Sequence, residues 1–372
     1  MFRHTIPIGR IFGISVDLDY SWFLVLGLLT WMLAVSYYPA EFAGWSAAQY
    51  WFVGLATALM LFVSVLIHEL GHAVVAKKYG MPVPRIVLFI FGGVSEIGGE
   101  PPNASAEFWI AVVGPIVSFV LAAFFWEIEP LLYSWPQLYA LAKYLSLLNL
   151  ILGVFNLIPG FPLDGGRVMR AVLWFFTGKY RRATAIAATT GRFIGFLLIF
   201  LGVWQALRGN FIGGLWTAFI GWFLESAAAS QLQQEVLKSL LGDHKVHDAM
   251  QRDFPQISGD ITLQTLVDNY ILPGGVRYFV VNGEGGVAGL VTLACVQKVP
   301  RSEWSTTNAS QVMVPLQRLA STSPDAVLWS ALEKMGRDGV NQLPVVEGNG
   351  VVGMLSREDV VHYLHVLQAF AA

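Results

Sequence analysis

Long apolar runs recur over the first 230 residues of the chain and then stop. A helix needs about 20 predominantly apolar residues to cross the hydrocarbon core of a bilayer. Runs of about that length lie at 21–38, 50–76, 107–127, 138–158, 191–208 and 211–229. After residue 230, short strand-like and helix-like segments alternate with polar ones. The pattern predicts a polytopic α-helical membrane protein with about six transmembrane helices over residues 1–230, followed by an α/β region over residues 231–372.

Residues 83–99, with the sequence VPRIVLFIFGGVSEIGG, break the helical pattern. The segment is too short to span a membrane twice and too rich in glycine to form a stable helix. Its pattern predicts two strands that turn at Gly92-Gly93. Such backbone is tolerated at membrane depth only where it is buried against protein or lines a wet cavity. We therefore expect a membrane-associated β element.

The region after residue 230 repeats itself with an offset of about 64 residues, as expected when one structural unit is used twice. Gly289-Leu290-Val291-Thr292 in the first copy corresponds to Gly353-Met354-Leu355-Ser356 in the second. Each copy has the pattern of strand, helix, strand, strand and helix. We expect one α/β domain type, present twice, at about 243–300 and 307–372.

The composition narrows the class of protein. Hydrophobic residues make up 55% of the chain and charged residues 13%, whereas about 25% of residues are charged in an average soluble domain. The formal net charge of −2 lacks the basic excess of a nucleic-acid-binding protein, so we expect no nucleic-acid partner. Cys295 is the single cysteine, which excludes an intrachain disulfide and a metal site built from several thiolates. Any metal site must use histidine and carboxylate ligands.

Basic residues flank alternate ends of the predicted spans and indicate the orientation of the chain. They precede the first span, follow the second, and lie between the fourth and the fifth: Arg3, Arg10, Lys77, Lys78, Arg85, Arg167, Arg170, Lys179, Arg181, Arg182 and Arg192. Cytoplasmic loops carry an excess of lysine and arginine. We therefore expect a multi-pass protein of the cell membrane, with both termini and the α/β region in the cytoplasm.

The second predicted span contains His68-Glu69-Leu70-Gly71-His72, an H-E-x-x-H pattern. Residues four apart lie on one face of a helix, so both imidazoles can reach one ion while Glu69 projects toward a metal-bound water. The alternative is a helix whose two histidines only pack or form hydrogen bonds. Three ionisable residues are costly inside a membrane span and indicate a functional site there, which favours the metal site.

A catalytic zinc ion needs three protein ligands and an open fourth position for water. The fourth predicted span leads into Asn156-Leu157-Ile158-Pro159-Gly160-Phe161-Pro162-Leu163-Asp164-Gly165-Gly166-Arg167. The prolines and glycines break the helix and allow the chain to fold back toward the membrane interior. Asp164 is therefore the candidate third ligand. Taken alone, the segment is equally consistent with an interfacial turn that an aspartate caps, and the H-E-x-x-H pattern favours the ligand.

HELGH together with NLIPGFPLDGGR resembles the site-2 protease family of intramembrane metalloproteases. The resemblance implies that His68, His72 and Asp164 bind one zinc ion per chain and that Glu69 activates water. It also implies that Asn156 positions the substrate or the oxyanion, a role that an amide donor can fill.

The resemblance covers roughly residues 10–230. Gly114-Pro115 and Ser118 fit a small-residue motif of the family, although close helix packing alone would explain them. By the same resemblance, the substrates are single-pass or other membrane proteins, cut within their transmembrane segments. The orientation indicated by the basic residues places HELGH near the cytoplasmic end of the second span, so we expect the cut toward the cytoplasmic side. The strand pair at 83–99 would bind the unwound substrate by strand addition.

The repeated C-terminal region resembles tandem CBS domains, which commonly bind adenine nucleotides and often dimerise. The resemblance implies ATP, ADP or AMP at Ser356 and Asp359 of the second copy, and a homodimer formed through the pair. Cys295 stands at the corresponding position of the first copy, so a nucleotide site there is not expected. A helix start without a ligand, with Ser356 as cap and Asp359 in the first turn, explains the same two residues equally well.

Two other classes of function compete with a zinc-dependent intramembrane endopeptidase regulated through its CBS pair. A CBS-regulated transporter or channel would place ionisable residues along a route across the bilayer, whereas here they converge on one three-ligand site. A catalytically inactive membrane scaffold would lack the glutamate or a ligand, and none is missing. The sequence therefore favours the protease.

Overall fold

The computed structural model describes residues 5–274, 278–283, 286–348 and 350–371, and the chain divides into two compact units, Met1–Glu235 and Val236–Ala372. Arg3, one of the basic residues that indicated the orientation, lies outside the described residues.

The described part of the first unit is mainly helical. Its helices, the last of which runs on into the second unit, are α1 (Tyr20–Glu41), α2 (Ala47–Lys78), α3 (Ala104–Leu132), α4 (Pro136–Asn156), α5 (Asp164–Thr177), α6 (Tyr180–Leu207) and α7 (Phe211–Leu241). All but α5 are long and apolar enough to cross a membrane, which confirms the six predicted spans. Their outer faces carry large exposed apolar side chains, as lipid contact requires.

Three features of this helical unit differ from the sequence-based prediction. Helix α6 begins at Tyr180 rather than near 191, and α7 continues to Leu241 rather than ending near 229. Apolar length marks only the part of a helix that crosses the bilayer, whereas backbone hydrogen bonding continues into polar ends. Helix α5 was not predicted at all, because its fourteen residues are amphipathic rather than uniformly apolar. It ends at Gly178 in the left-handed conformation.

A four-stranded sheet lies in the first unit, with the order β1 (Thr5–Ile11), β2 (Ile14–Asp19), β3 (Arg85–Phe89) and β4 (Gly92–Ser95). β3 and β4 pair antiparallel, which confirms the predicted strand pair, but the turn lies at residues 90–91 rather than at Gly92-Gly93. Gly92 pairs with Phe89 and has φ of 126°, a conformation open to glycine. The parallel pairing of β2 with β3 was not predicted, because the two strands are far apart in sequence.

The second unit consists of two copies of one arrangement. The first contains a short helix α8 (Val246–Ala249), β5 (Gln256–Ser258), α9 (Leu263–Leu266), β6 (Tyr278–Gly283), β7 (Gly286–Thr292) and α10 (Leu293–Gln297). Helix α9 continues through a π-helical stretch (Val267–Ile271) to Gly274. The second contains α11 (Ala309–Val312), β8 (Val314–Pro315), α12 (Leu328–Asp338), β9 (Gln342–Glu347), β10 (Gly350–Ser356) and α13 (Arg357–Ala371). The predicted strand, helix, strand, strand and helix order is confirmed, with one extra short helix at the start of each copy.

The two copies exchange contacts reciprocally. β8, which opens the second copy, pairs with β7 of the first through Leu290 and Val314. In return, Gln251 of the first copy pairs with Met354 of the second. Each copy completes the sheet edge of the other, and each of the two apolar cores contains residues of both copies, since Val246 is buried in the core of the second copy and Ala309 in the core of the first. The pair therefore folds as one body.

Candidate metal centre

Helix α2 brings the two histidines of the HELGH segment onto one buried face. The helix starts at a capping box formed by Ser46 and Gln49 and runs unbroken through the motif. Only 3% of the surface of His68 and of His72 is exposed. Their Nε2 atoms lie 3.2 Å apart, because residues one helical turn apart project side by side.

Asp164 completes the group from the first residue of α5. Its Oδ2 atom lies 3.1 Å from Nε2 of His68 and 3.1 Å from Nε2 of His72. A tetrahedral zinc ion with bonds of about 2.0–2.1 Å separates its ligand atoms by about 3.3–3.4 Å. Three mutual separations of 3.1–3.2 Å therefore fit one ion. Two imidazoles and a carboxylate are also a donor set that suits zinc.

Helix α3 holds both imidazole rings through their other nitrogen atoms. The Nδ1 atom of His72 donates to the backbone carbonyl of Ile110, at 2.5 Å. Since a carbonyl only accepts, this bond places the proton on Nδ1 and leaves the lone pair of Nε2 free for a metal. The Nδ1 atom of His68 shares a hydrogen bond of 2.8 Å with Oγ of Ser118. Both rings are thus oriented toward Asp164.

Gly114 of α3 provides the space in which the ligand atoms meet. A Cβ at this position would lie 2.6 Å from Nε2 of His68 and closer still to Nε2 of His72. The sequence indicated Gly114 and Ser118 as part of a small-residue motif of the site-2 protease family, which close helix packing alone would also explain. In the structure Ser118 contacts one imidazole directly and Gly114 leaves room for both. No pattern in the sequence distinguishes that role from ordinary packing.

Glu69 follows His68 on α2 and reaches strand β4. The hydroxyl of Ser95 donates to Oε2 of Glu69 at 2.7 Å and also lies 3.1 Å from its backbone carbonyl. Within the described residues, the other carboxylate oxygen of Glu69 accepts no hydrogen bond. The glutamate is therefore held by one oxygen and has the other free for a water molecule. Sequence reasoning missed Ser95, since only its place in the strand pair pointed to it.

Asn156 is the last residue of α4 and is half-buried. The carbonyls of Leu157 and Ile158, which follow it, lie so close to Gly165 that a Cβ there would collide with both. The end of α4 is thereby packed against the residue next to Asp164. In the part of the chain that the structure describes, the Asn156 side chain makes no hydrogen bond, either to the three candidate ligands or to another residue.

Ser356 and Asp359 of the second unit form a reciprocal helix cap. The Ser356 backbone N–H and hydroxyl donate to Oδ2 of Asp359, at 2.7 and 2.6 Å, and the Asp359 N–H donates back to the hydroxyl at 3.1 Å. Gln251 donates to the other oxygen of Asp359 at 2.6 Å. In the first copy, the side chains of Thr292 and Cys295 are linked at 3.3 Å, without a side-chain cap bond from Thr292 to the helix backbone. The bonds between Ser356 and Asp359 have the geometry of the helix-start alternative.

Comparison with known proteins assigns the first unit to a peptidase family and part of the second unit to the CBS domains. The sequence pattern of peptidase family M50 matches residues 56–134 and 132–199, which include the HELGH segment and Asp164. The CBS domain pattern matches residues 309–366, the second copy of the repeat.

The relatives match almost from end to end. Rip3 of Mycobacterium tuberculosis, named as a zinc metalloprotease, is 38% identical over 98% of this chain and 94% of its own length. The zinc metalloprotease MJ0392 of Methanocaldococcus jannaschii is 28% identical over 98% of each chain. The solved site-2 protease from the same organism is 31% identical, covering 62% of this chain and 95% of its own, with a TM-score of 0.44. The chain belongs to peptidase family M50, the site-2 protease family of zinc metalloproteases, and carries a C-terminal CBS domain pair.

Proposed function

We propose that this metalloprotease is an intramembrane endopeptidase that cuts the transmembrane segments of membrane proteins at the His68, His72 and Asp164 site. The observation that carries the proposal is the meeting of these three ligand atoms in the helical unit: two come from α2, which is long and apolar enough to cross a membrane, and the third comes from the start of the shorter helix α5. A transporter would need polar groups along a route across the bilayer. A centre with three protein ligands suits hydrolysis instead, because a zinc ion held there would keep a fourth position open for water.

The residues around the centre supply the parts that peptide hydrolysis needs. Zinc held there would lower the pKa of a bound water to about 7 and polarise the scissile carbonyl. The free oxygen of Glu69 takes the proton of the attacking water and delivers it to the amide nitrogen of the leaving segment. The side-chain amide of Asn156 donates to the carbonyl oxygen as charge develops on it.

The position of β4 supports substrate binding by strand addition. β4 is an outer strand of the described sheet, and Ser95 links it to the carboxylate of Glu69. A segment added to this edge would lie about 4.8 Å from β4, beside the glutamate. Extended backbone satisfies its hydrogen bonds through the sheet edge, which offsets the loss of helix in the dry membrane.

The flanking charges support a site near the cytoplasmic side. Lys77 and Lys78 end α2 shortly after His72, and Lys179, Arg181 and Arg182 lie where α5 gives way to α6. With both termini and the CBS pair in the cytoplasm, α2 presents its motif toward that face. The cut is then expected in the cytoplasmic half of the substrate helix.

Two measurements test the proposed centre together. Purified protein should contain one zinc ion per chain by elemental analysis, and Asp164→Asn should lower its zinc affinity at least tenfold, because the substitution removes a charged ligand. In liposomes with single-pass proteins as substrates, mass spectrometry should locate the cut in the cytoplasmic half of the membrane segment.

The matched control for Asp164→Asn is Asp325→Asn, at an exposed ion pair with Lys245 in the second unit, which should keep its zinc and its activity. Metal-free purified protein that still cleaves would refute the proposed centre. A cut in the outer half would refute the proposed orientation.

We also propose that the CBS pair regulates the protease by binding ATP, ADP or AMP at Ser356 and Asp359, and that two chains dimerise through it. For nucleotide binding, the relevant observation is that the Asp359 carboxylate and the Ser356 hydroxyl lie together at the start of α13, where one ligand can reach both. A ribose could take over the hydrogen bond that Gln251 now gives to Asp359. The phosphates would then face the first turn of the helix.

If a nucleotide binds at this site, Asp359→Asn should lower the affinity of the protein for it. Each nucleotide is titrated separately into detergent-solubilised full-length protein by calorimetry, and the variant should bind the preferred one about tenfold more weakly, since an anionic acceptor of ribose hydroxyls is lost. Asp338→Asn, at the end of α12, is the control and should bind normally. Absence of heat with all three nucleotides would leave only the helix-start role for Ser356 and Asp359.

A further inference from the structure

A buried ion pair lies apart from the candidate ligands and joins α3 to α5. Arg170 of α5 donates from Nε to Oε1 of Glu107 at 2.8 Å, and Nη2 donates to the same oxygen. Glu107 is fully buried and Arg170 is 6% exposed. The guanidinium is stacked between the rings of Phe161 and Tyr180, at 4.9 and 4.8 Å from their centroids.

Fold stability alone does not account for this pair. Removing two opposite charges from water costs several kcal/mol per ion, and apolar residues of similar volume often serve stability as well or better. The arrangement is also incompletely satisfied, because Oε2 of Glu107 is buried without a hydrogen-bond partner among the described residues. Such a pair does constrain geometry, because a charge-assisted hydrogen bond from a planar guanidinium fixes one relative placement of two helices.

The two helices that the pair joins are those that build the metal centre. Glu107 lies in the first turn of α3, the helix whose Ile110 and Ser118 orient the two imidazoles. Arg170 lies within about two turns of Asp164 on α5. A slide or rotation of α5 along α3 would move the aspartate away from both histidines.

We propose that Glu107 and Arg170 are positioning residues that hold α5 in register with α3 and so keep the Asp164 carboxylate at ligand distance from His68 and His72. This inference rests on the proposed ligand set. It assigns to the pair a role in metal affinity that is separable from the stability of the fold.

The test measures zinc affinity and unfolding on the same samples. Glu107→Leu, Arg170→Met and the double variant are purified in detergent. Zinc affinity is read by competition with a chromogenic chelator, and the unfolding midpoint is recorded for the metal-free proteins. Each single variant leaves one buried charge unpaired, so its midpoint should fall. The double variant should regain the midpoint, yet bind zinc about 10–100-fold more weakly, as for other groups that orient ligands from outside the coordination sphere.

Arg170→Lys gives a second route should the apolar variants fold poorly. It keeps the charge but offers a compact ammonium in place of the planar fork that stacks between two rings, so it should stay folded and lose zinc affinity by a smaller factor. The matched control is the pair of Arg192 and Glu225, a 2.9 Å ion pair between α6 and α7. Arg192→Met with Glu225→Leu should leave zinc affinity unchanged.

Asp164→Asn is measured in the same assay, so the two proposals can fail separately. If Asp164→Asn binds zinc as the wild type does, the ligand set is wrong. If Asp164→Asn loses zinc while the double variant and Arg170→Lys retain wild-type affinity, the ligand set stands and the positioning role is overturned. Zinc loss in the control pair as well would show a general effect of lost ion pairs and would also overturn it.

Discussion

Glu69→Gln should reduce proteolysis by about 10²–10⁴-fold while the protein still binds one zinc ion per chain. Glutamine has nearly the shape of glutamate but cannot accept a proton from water at neutral pH. The three clustered ligand atoms belong to His68, His72 and Asp164, so the substitution leaves the metal-binding group intact. The hydroxyl of Ser95, which donates to Oε2 of Glu69, can donate equally well to the amide oxygen of glutamine.

The measurement pairs zinc analysis with cleavage of a single-pass membrane protein in liposomes. Glu41→Gln is the matched control, because it makes the same chemical change at a half-exposed residue that forms a 3.8 Å ion pair with Lys143. It should cleave at the wild-type rate. Wild-type cleavage by Glu69→Gln would remove the glutamate from the mechanism. Loss of zinc together with loss of cleavage would assign Glu69 a part in metal binding instead.

The sequence predicted two of the three candidate ligands because one local pattern carries its own geometry. A spacing of four on a helix places His68 and His72 side by side whatever surrounds them. Asp164 needed a different argument, since nothing local shows that it reaches the second span. Asp164 was predicted because a catalytic zinc ion needs a third ligand and because this aspartate lies in proline- and glycine-rich backbone just after an apolar segment. The resemblance to site-2 proteases implied the same residue. The resemblance to site-2 proteases was then confirmed by relatives that match nearly the whole chain.

The supporting residues could not be predicted, because they act through contacts between distant segments. Ser95 bonds Glu69 across twenty-six residues and Ser118 bonds His68 across fifty. Arg170 served only as a count of positive charge in the orientation argument, whereas the structure buries it against Glu107. A long-range pairing of this kind leaves no periodic signal in the chain. For the same reason the parallel pairing of β2 with β3 was missed.

Gly114 leaves the space in which the candidate ligand atoms meet, so even a methyl group added at this position should disturb zinc binding. Gly114→Ala should lower zinc affinity by about 100-fold, the upper end of the range for groups outside the coordination sphere, and should abolish proteolysis with it. The added Cβ would lie 2.6 Å from Nε2 of His68 and closer to Nε2 of His72, so the rings or the helix must move. The rings cannot move freely, because Ile110 and Ser118 of the same helix hold them.

The expected loss of zinc affinity is opposite to the effect of this substitution on the stability of the helix, so the two effects can be told apart. Alanine favours a helix interior over glycine by about 0.8–1.0 kcal/mol, so a weaker helix cannot explain a lost metal. Gly27→Ala in α1 is the matched control, since a Cβ there meets nothing within 4 Å, and it should keep zinc and activity. Zinc affinity and cleavage are measured as for Glu69→Gln. Full zinc occupancy and wild-type cleavage by Gly114→Ala would show that the ligand atoms do not meet beside this glycine.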